Sequence, residues 1–153
     1  SRRGQSEHVR VMKDHDIGEI EARALIDVMN RRSTRGQPLV GQQQIKQHFG
    51  APDFRATVPE IVVLRGDGNY VAIEATTAAE PQIAKIRERF ENLAAVAPQH
   101  TIARFEIHIN EGARFDDKLF TIGEDGTLLF EGEPVAVAGA EGATIVVKHH
   151  AAP

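Results

Sequence analysis

Two glutamates carry the first chemical signal in this chain. In residues 59–77, PEIVVLRGDGNYVAIEATT, Glu60 and Glu74 stand near the outer ends of two apolar runs that flank a Gly-Asp-Gly-Asn turn. Carboxylates on adjacent strands are a common way to hold one or two divalent cations for phosphodiester cleavage. Whether these two meet depends on one residue of loop length. A two-residue Asp67-Gly68 turn pairs Gly66 with Asn69, sets Glu60 opposite Ala75 and parts the carboxylates. A three-residue loop, Gly66-Asp67-Gly68 with Gly68 left-handed, pairs Arg65 with Asn69 and sets Glu60 directly opposite Glu74. Two bare carboxylates so placed repel unless a cation or a proton sits between them. In that second register Ile61, Val63, Val71 and Ile73 line one face, and Val62, Leu64 and Ala72 the other. The hairpin is therefore expected to be covered on both sides, with Glu74 semi-buried and Glu60 at the solvated strand start.

Other groups compete for attention. ARFEIHIN alternates, with Ala103, Phe105, Ile107 and Ile109 on one side and Arg104, Glu106, His108 and Asn110 on the other. That pattern predicts a strand with one wet face. His108 as base and Arg104 on phosphate would suit a metal-independent RNase; a charge-paired surface is the plainer reading of the same residues. His8 and His15 flank VRVMKD beside Asp14 and Asp16, but no His-x3-His or His-Glu-x-x-His spacing occurs, and solvated polar residues are expected there. Gly66-Asp67-Gly68 lacks the Gly-Lys-Ser/Thr of a phosphate loop and leads to a strand. There is no Gly-x-Ser-x-Gly element. The absence of cysteine excludes disulfides, thiolate zinc sites, iron–sulfur clusters and cysteine nucleophiles.

The elements that must position these groups are legible to different degrees. Residues 1–15 read as a loose polar segment with a short strand at HVRVM. A helix follows, with Asp16 as N-cap, Glu19 in capping-box relation and a stripe of Ile17, Ile20, Ala24, Leu25, Val28 and Met29. Arg31, Arg32 and Arg35 suit the negative end of its dipole. GQQQIKQHFG reads as a short helix ending at Gly50, and APDFRATVP as an irregular connector. Then come the hairpin, a helix over about 80–97 with Pro81 in its first turn and Thr77 with Glu80 as a cap, and the alternating strand. The tail, 118–149, reads as a small antiparallel meander of KLFTIG, TLLF, VAVAG and ATIVVKH. The expected fold is α+β: a mixed sheet built on the central hairpin, flanked by helices, with a C-terminal meander over 111–153.

Helix, hairpin, helix, strand, with "PE" at 59–60 and "EAT" at 74–76, resembles the restriction-endonuclease-like nucleases of the PD-(D/E)XK superfamily over residues 16–110. The resemblance implies that Glu60 and Glu74 hold Mg²⁺ or another divalent metal, helped by Glu21 (or Glu19) of the first helix. Two departures stand out. Glu60 replaces Asp, and Thr76 replaces the Lys that assists attack. A lysine moved onto the following helix would be Lys85. The implied activity is cleavage of DNA or RNA by a nuclease-like module, such as the toxin or effector part of a larger protein. The alternative from another class is a non-catalytic protein-binding module, an adaptor or immunity-type partner.

Composition bounds these readings without choosing among them. The 153 residues suit one domain, with 41% hydrophobic and 26% charged residues and a core that must be mostly aliphatic, since Trp is absent and Tyr70 stands alone. Residues 1–55 carry ten Lys/Arg against seven Asp/Glu, whereas 101–153 carry four against nine. The basic front would suit nucleic acid or an acidic partner protein such as an immunity or scaffold protein, and an ordinary solvated surface is the plainer reading. No run reaches membrane-spanning length, so no membrane partner is expected. A cytoplasmic protein, or one secreted or delivered within a larger chain, fits equally.

Overall fold

A computed structural model describes residues 2–30 and 36–151, and side chains from residue 7 onward. The fold is α+β, with a five-stranded mixed sheet and a separate three-stranded antiparallel sheet. Helix α1 (Arg2–His15) occupies the segment expected to be loose and partly extended. Its Val11 packs against the apolar layer beneath the next helix, which gives a polar segment a reason to be ordered. Helix α2 (Glu19–Met29) buries Ile20, Ala22, Ala24, Leu25 and Val28, close to the expected stripe. Its N-cap is Gly18, not Asp16. Asp16 instead takes a left-handed φ of 52° in the α1–α2 turn, a conformation Asp tolerates better than most residues. Arg31, Arg32 and Arg35 lie outside the described residues.

Strand β1 (Gln37–Val40) forms where the sequence pattern predicts no element. It is the sheet's edge, where Pro38 costs no ladder bond on its open side. Helix α3 (Gln42–His48) is the expected short helix, and Gly50 leaves it with a φ of 71°. Strands β2 (Ile61–Leu64) and β3 (Tyr70–Thr76) form the hairpin. Helix α4 (Ile83–Val96) starts later than expected, after Pro81, with no side-chain cap from Gln82. Asp116 supplies the missing acceptor from outside: its Oδ1 takes a hydrogen bond from the Ile83 N–H at 3.3 Å. The Thr77–Glu80 cap does not form; Thr76 Oγ1 instead accepts from the Ala78 N–H at 3.1 Å. Strand β4 (Ile102–Asn110) follows.

Of the expected meander, β5 (Phe120–Ile122), β6 (Leu128–Phe130) and a short β7 (Glu133–Pro134) form the small sheet. VAVAG is not a strand. ATIVVKH supplies β8 (Ile145–His150), which leaves the meander and joins the large sheet parallel to β4. The large sheet runs β1-β2-β3-β4-β8, antiparallel through the hairpin and parallel from β3 onward.

Both faces of the hairpin are covered, as its apolar runs require. Ile61, Val63, Val71 and Ile73 pack with Ala24, Leu25 and Val28 of α2. Val62 and Ala72 join Ile83, Ile86, Phe90 and Leu93 of α4 and Phe105, Ile107 and Ile109 of β4 in the larger cluster. Among the described residues no helix is long and apolar enough to cross a membrane.

Candidate functional site

The loop settles the register. Ile61 pairs with Ile73, Val62 with Ala72, Val63 with Val71 and Leu64 with Tyr70. The Arg65 N–H donates to Asn69 O at 2.8 Å, the Gly68 N–H donates back to Arg65 O at 3.0 Å, and Gly68 has a φ of 84°. This is the three-residue loop, and one more step of the register sets Glu60 opposite Glu74. Side chains so opposed start from Cβ atoms about 4.5–5.5 Å apart.

The two carboxylates live in different surroundings. Glu60 is exposed, and its Oε1 accepts from Gln42 Nε2 at 2.9 Å. Gln42 is itself locked by the Val58 backbone, donating to its carbonyl at 2.6 Å and accepting from its N–H at 2.9 Å. Glu74 is 5% exposed. Its Oε2 pairs with Arg89 Nη1 at 3.1 Å, and its Oε1 is buried with no hydrogen-bond partner among the described residues. Burial pushes the Glu74 carboxyl up to about 7; Arg89 opposes the shift and the Glu60 charge adds to it. The Glu60 backbone N–H also favours the anion, without hydrogen-bond geometry to Oε1.

A cleft of about 300 Å³ opens at this point, lined in part by Glu74, Thr76, Lys85 and Arg89. Three residues singled out in the sequence, Glu74, Thr76 and Lys85, therefore share one concavity. Lys85 is exposed and lies one helical turn before Arg89, so both cations stand on the same side of α4. Arg89 was absent from the sequence-based set. Its signal was there: four residues beyond Lys85, it falls on the helix face that carries Lys85 to the end of β3.

Glu21 is half-buried in the first turn of α2. Its carboxyl is raised by burial, lowered by the Gly18 backbone and raised by Glu60. The Glu60 charge thus acts on both Glu21 and Glu74. The three do not close into a tight ligand group: the trio of His, Asp and Glu found with donor atoms within 4.8 Å of one another among the described residues is Asp27, Glu106 and His108.

That trio overturns the expected wet face of β4. Glu106 and His108 are both 0% exposed, because α2 lies over this side of the sheet. Glu106 Oε2 pairs with Arg104 Nη2 at 2.6 Å and Oε1 with His108 Nε2 at 2.7 Å; His108 Nδ1 meets His150 Nε2 at 2.7 Å. Burial pushes the His150 imidazole below its ordinary range, helped by His108 and Arg23 and opposed by Asp27. His108 cannot reach a substrate from this position, so the RNase arrangement expected from His108 and Arg104 does not form on a solvent face. Alternation says which residues share a face; it does not say what covers it.

No family model, curated protein or solved structure matches this chain.

Proposed function

We propose that the chain is a metal-dependent nuclease-like domain acting on phosphodiesters of DNA or RNA, with its centre in the Glu74 cleft. The observation that carries the reading is Glu74 itself: a buried carboxylate, opposed by a second carboxylate across the hairpin, with one oxygen that has no hydrogen-bond partner among the described residues. An orphaned buried oxygen costs about 1–3 kcal/mol, more when charged, and a cation relieves both that cost and the repulsion from Glu60. Glu74 and Glu60 would hold the ion, with Glu21 beyond Glu60. A divalent ion bound there supplies charge stabilisation and lowers the pKa of a coordinated water.

The chain's own residues do the rest. Lys85 and Arg89 place two positive heads at the cleft, where they bind and orient an anionic phosphodiester and offset charge on its oxygens. Arg89 takes over part of the role left vacant by Thr76, since it is the cation that touches Glu74. Thr76 contributes a hydroxyl at the cleft wall and steadies the turn through Ala78. The order helix, hairpin, helix, strand that the resemblance implies supports the same reading, with α2 and α4 on opposite faces of the hairpin.

Plasmid DNA and total RNA incubated with the protein in Mg²⁺, Mn²⁺ or EDTA test it. Metal-dependent cutting should fall at least about 100-fold in Glu74→Ala and about 10-fold in Lys85→Ala. A folded wild-type chain that cuts neither substrate in either metal would sink the nuclease reading and leave a protein-binding module as the better account. Cutting that survives EDTA would move the chemistry away from Glu74.

A further inference from the structure

On the other face of the sheet, we propose that Asp27, Glu106 and His108 are the protein ligands of a first-row transition-metal ion, zinc above all. This centre is independent of the Glu74 cleft. One donor atom from each residue lies within 4.8 Å of the others. Zinc bonds of about 2.0–2.2 Å require donors roughly 3.3 Å apart in a tetrahedron, so small side-chain shifts bring all three onto one ion. Glu106 and His108 sit two residues apart on β4 and share a face; Asp27 comes from α2, laid across it. Two regular elements therefore fix the ligands, a better platform for metal geometry than loops.

The surroundings orient the donors. Arg104 holds Glu106 by Oε2, and Oε1 faces His108 Nε2. His150 holds His108 by Nδ1 and leaves Nε2. Oε1 and Nε2 then face each other at 2.7 Å, a separation that needs a proton between them in the metal-free chain. The ion takes the place of that proton at Nε2, the neutral His108 ring keeps its one proton on Nδ1 toward His150 Nε2, and the ring and carboxylate part by about half an ångström. Second partners of this kind are what metal-bound histidines and carboxylates ordinarily have. The donor set, one imidazole and two carboxylates, favours zinc over Mg²⁺ or Ca²⁺, which prefer oxygen alone. Asp27 is exposed and, with Arg23, Lys148 and His150, lines a cavity of about 570 Å³. Of the three ligands only Asp27 reaches this cavity, so the ion and a fourth ligand, water, would enter past Asp27 to the buried Glu106 and His108.

Calorimetric titration of the chelator-stripped protein with ZnCl₂ and with MgCl₂, and visible absorption with Co²⁺, provide the test. The expected result is one Zn²⁺ per chain, little or no Mg²⁺ at this site, and a Co²⁺ spectrum of nitrogen–oxygen ligation. His108→Ala should weaken Zn²⁺ binding about 100-fold and Asp27→Asn about 10-fold, whereas the double variant His8→Ala/His149→Ala should bind as wild type. Asp27 is at the surface, so Asp27→Asn decides the matter if His108→Ala fails to fold. Absence of stoichiometric Zn²⁺ binding overturns the proposal, as does binding unchanged in Asp27→Asn or lost in the surface-histidine double variant.

Discussion

Glu74 and Glu106 are neighbours in the sheet and opposites in their surroundings. On the adjacent parallel strands β3 and β4, Ile73 pairs with Glu106 and Glu74 with Ile107, so carboxylates one step apart point to opposite faces. Glu74 is 5% exposed and Glu106 0%. Yet Glu106 has Arg104 on one oxygen and His108 on the other, while Glu74 has a half-solvated Arg89 on one oxygen and no hydrogen-bond partner among the described residues on the other. Burying a carboxylate costs several kcal/mol unless partners repay it. Around Glu106 the repayment comes from side chains; around Glu74 it is half complete. Depth alone does not set the electrostatic state of a buried carboxylate; the number of donors around it does.

Truncation should expose the contrast most strongly. Glu106→Ala strands Arg104 and His108 without their shared acceptor and should lower the unfolding free energy by about 3 kcal/mol. Glu74→Gln keeps the shape and removes the charge, and should raise stability at pH 8 by about 1 kcal/mol. Urea unfolding of both variants measures the pair; equal losses would erase the distinction.

The next effect is on pH. Folded Glu74 keeps its proton to about 7, against an ordinary value of 4.5. Between those values the folded chain binds more protons than the unfolded one. The contribution is therefore fully present below 4.5 and is lost as pH rises through 7, for a decline of about 3 kcal/mol at most. Wild type minus Glu74→Gln, unfolded at pH 4.5 to 8, isolates it; a difference flat with pH would contradict the half-met state of Glu74. The smallest effect is on Arg89. Arg89→Met removes the main influence holding the Glu74 carboxyl down, and should raise it by less than about one further unit, since Arg89 is partly in water. Carboxyl carbon NMR of Glu74 reads the shift, and a downward move would show that Arg89 is not its partner.

The sequence carried the hairpin well because its signals are local. Apolar runs on both faces and a Gly-Asp-Gly loop reduced the register to two options, and Gly68 in the left-handed region chose between them. The stripe of α2 was equally legible. The misses were long-range. β1 is four residues with a proline, acceptable only because it lies at an edge. β8 reads like one more meander strand, and only its pairing with β4 shows otherwise. The polar side of β4 looked wet because nothing in its alternation announces α2 overhead. At the site, Glu74, Thr76 and Lys85 were named from their positions; Arg89 was not, although the helical period from Lys85 already put it on the same side of α4.

The placement of β8 has a kinetic consequence. His108 and His150 are 42 residues apart, and parallel pairing of β8 on β4 must close that span before any of its contacts form. Until then β4 is an open edge with unpaired backbone groups, the kind of edge that recruits foreign strands. When β8 arrives, Gly126 and Thr127 close over it: the Val147 N–H donates to Gly126 O at 2.8 Å, and Thr127 bridges to Val146. The β5–β6 turn thereby works as a clasp on the last strand, and the His108–His150 contact reports that strand's docking.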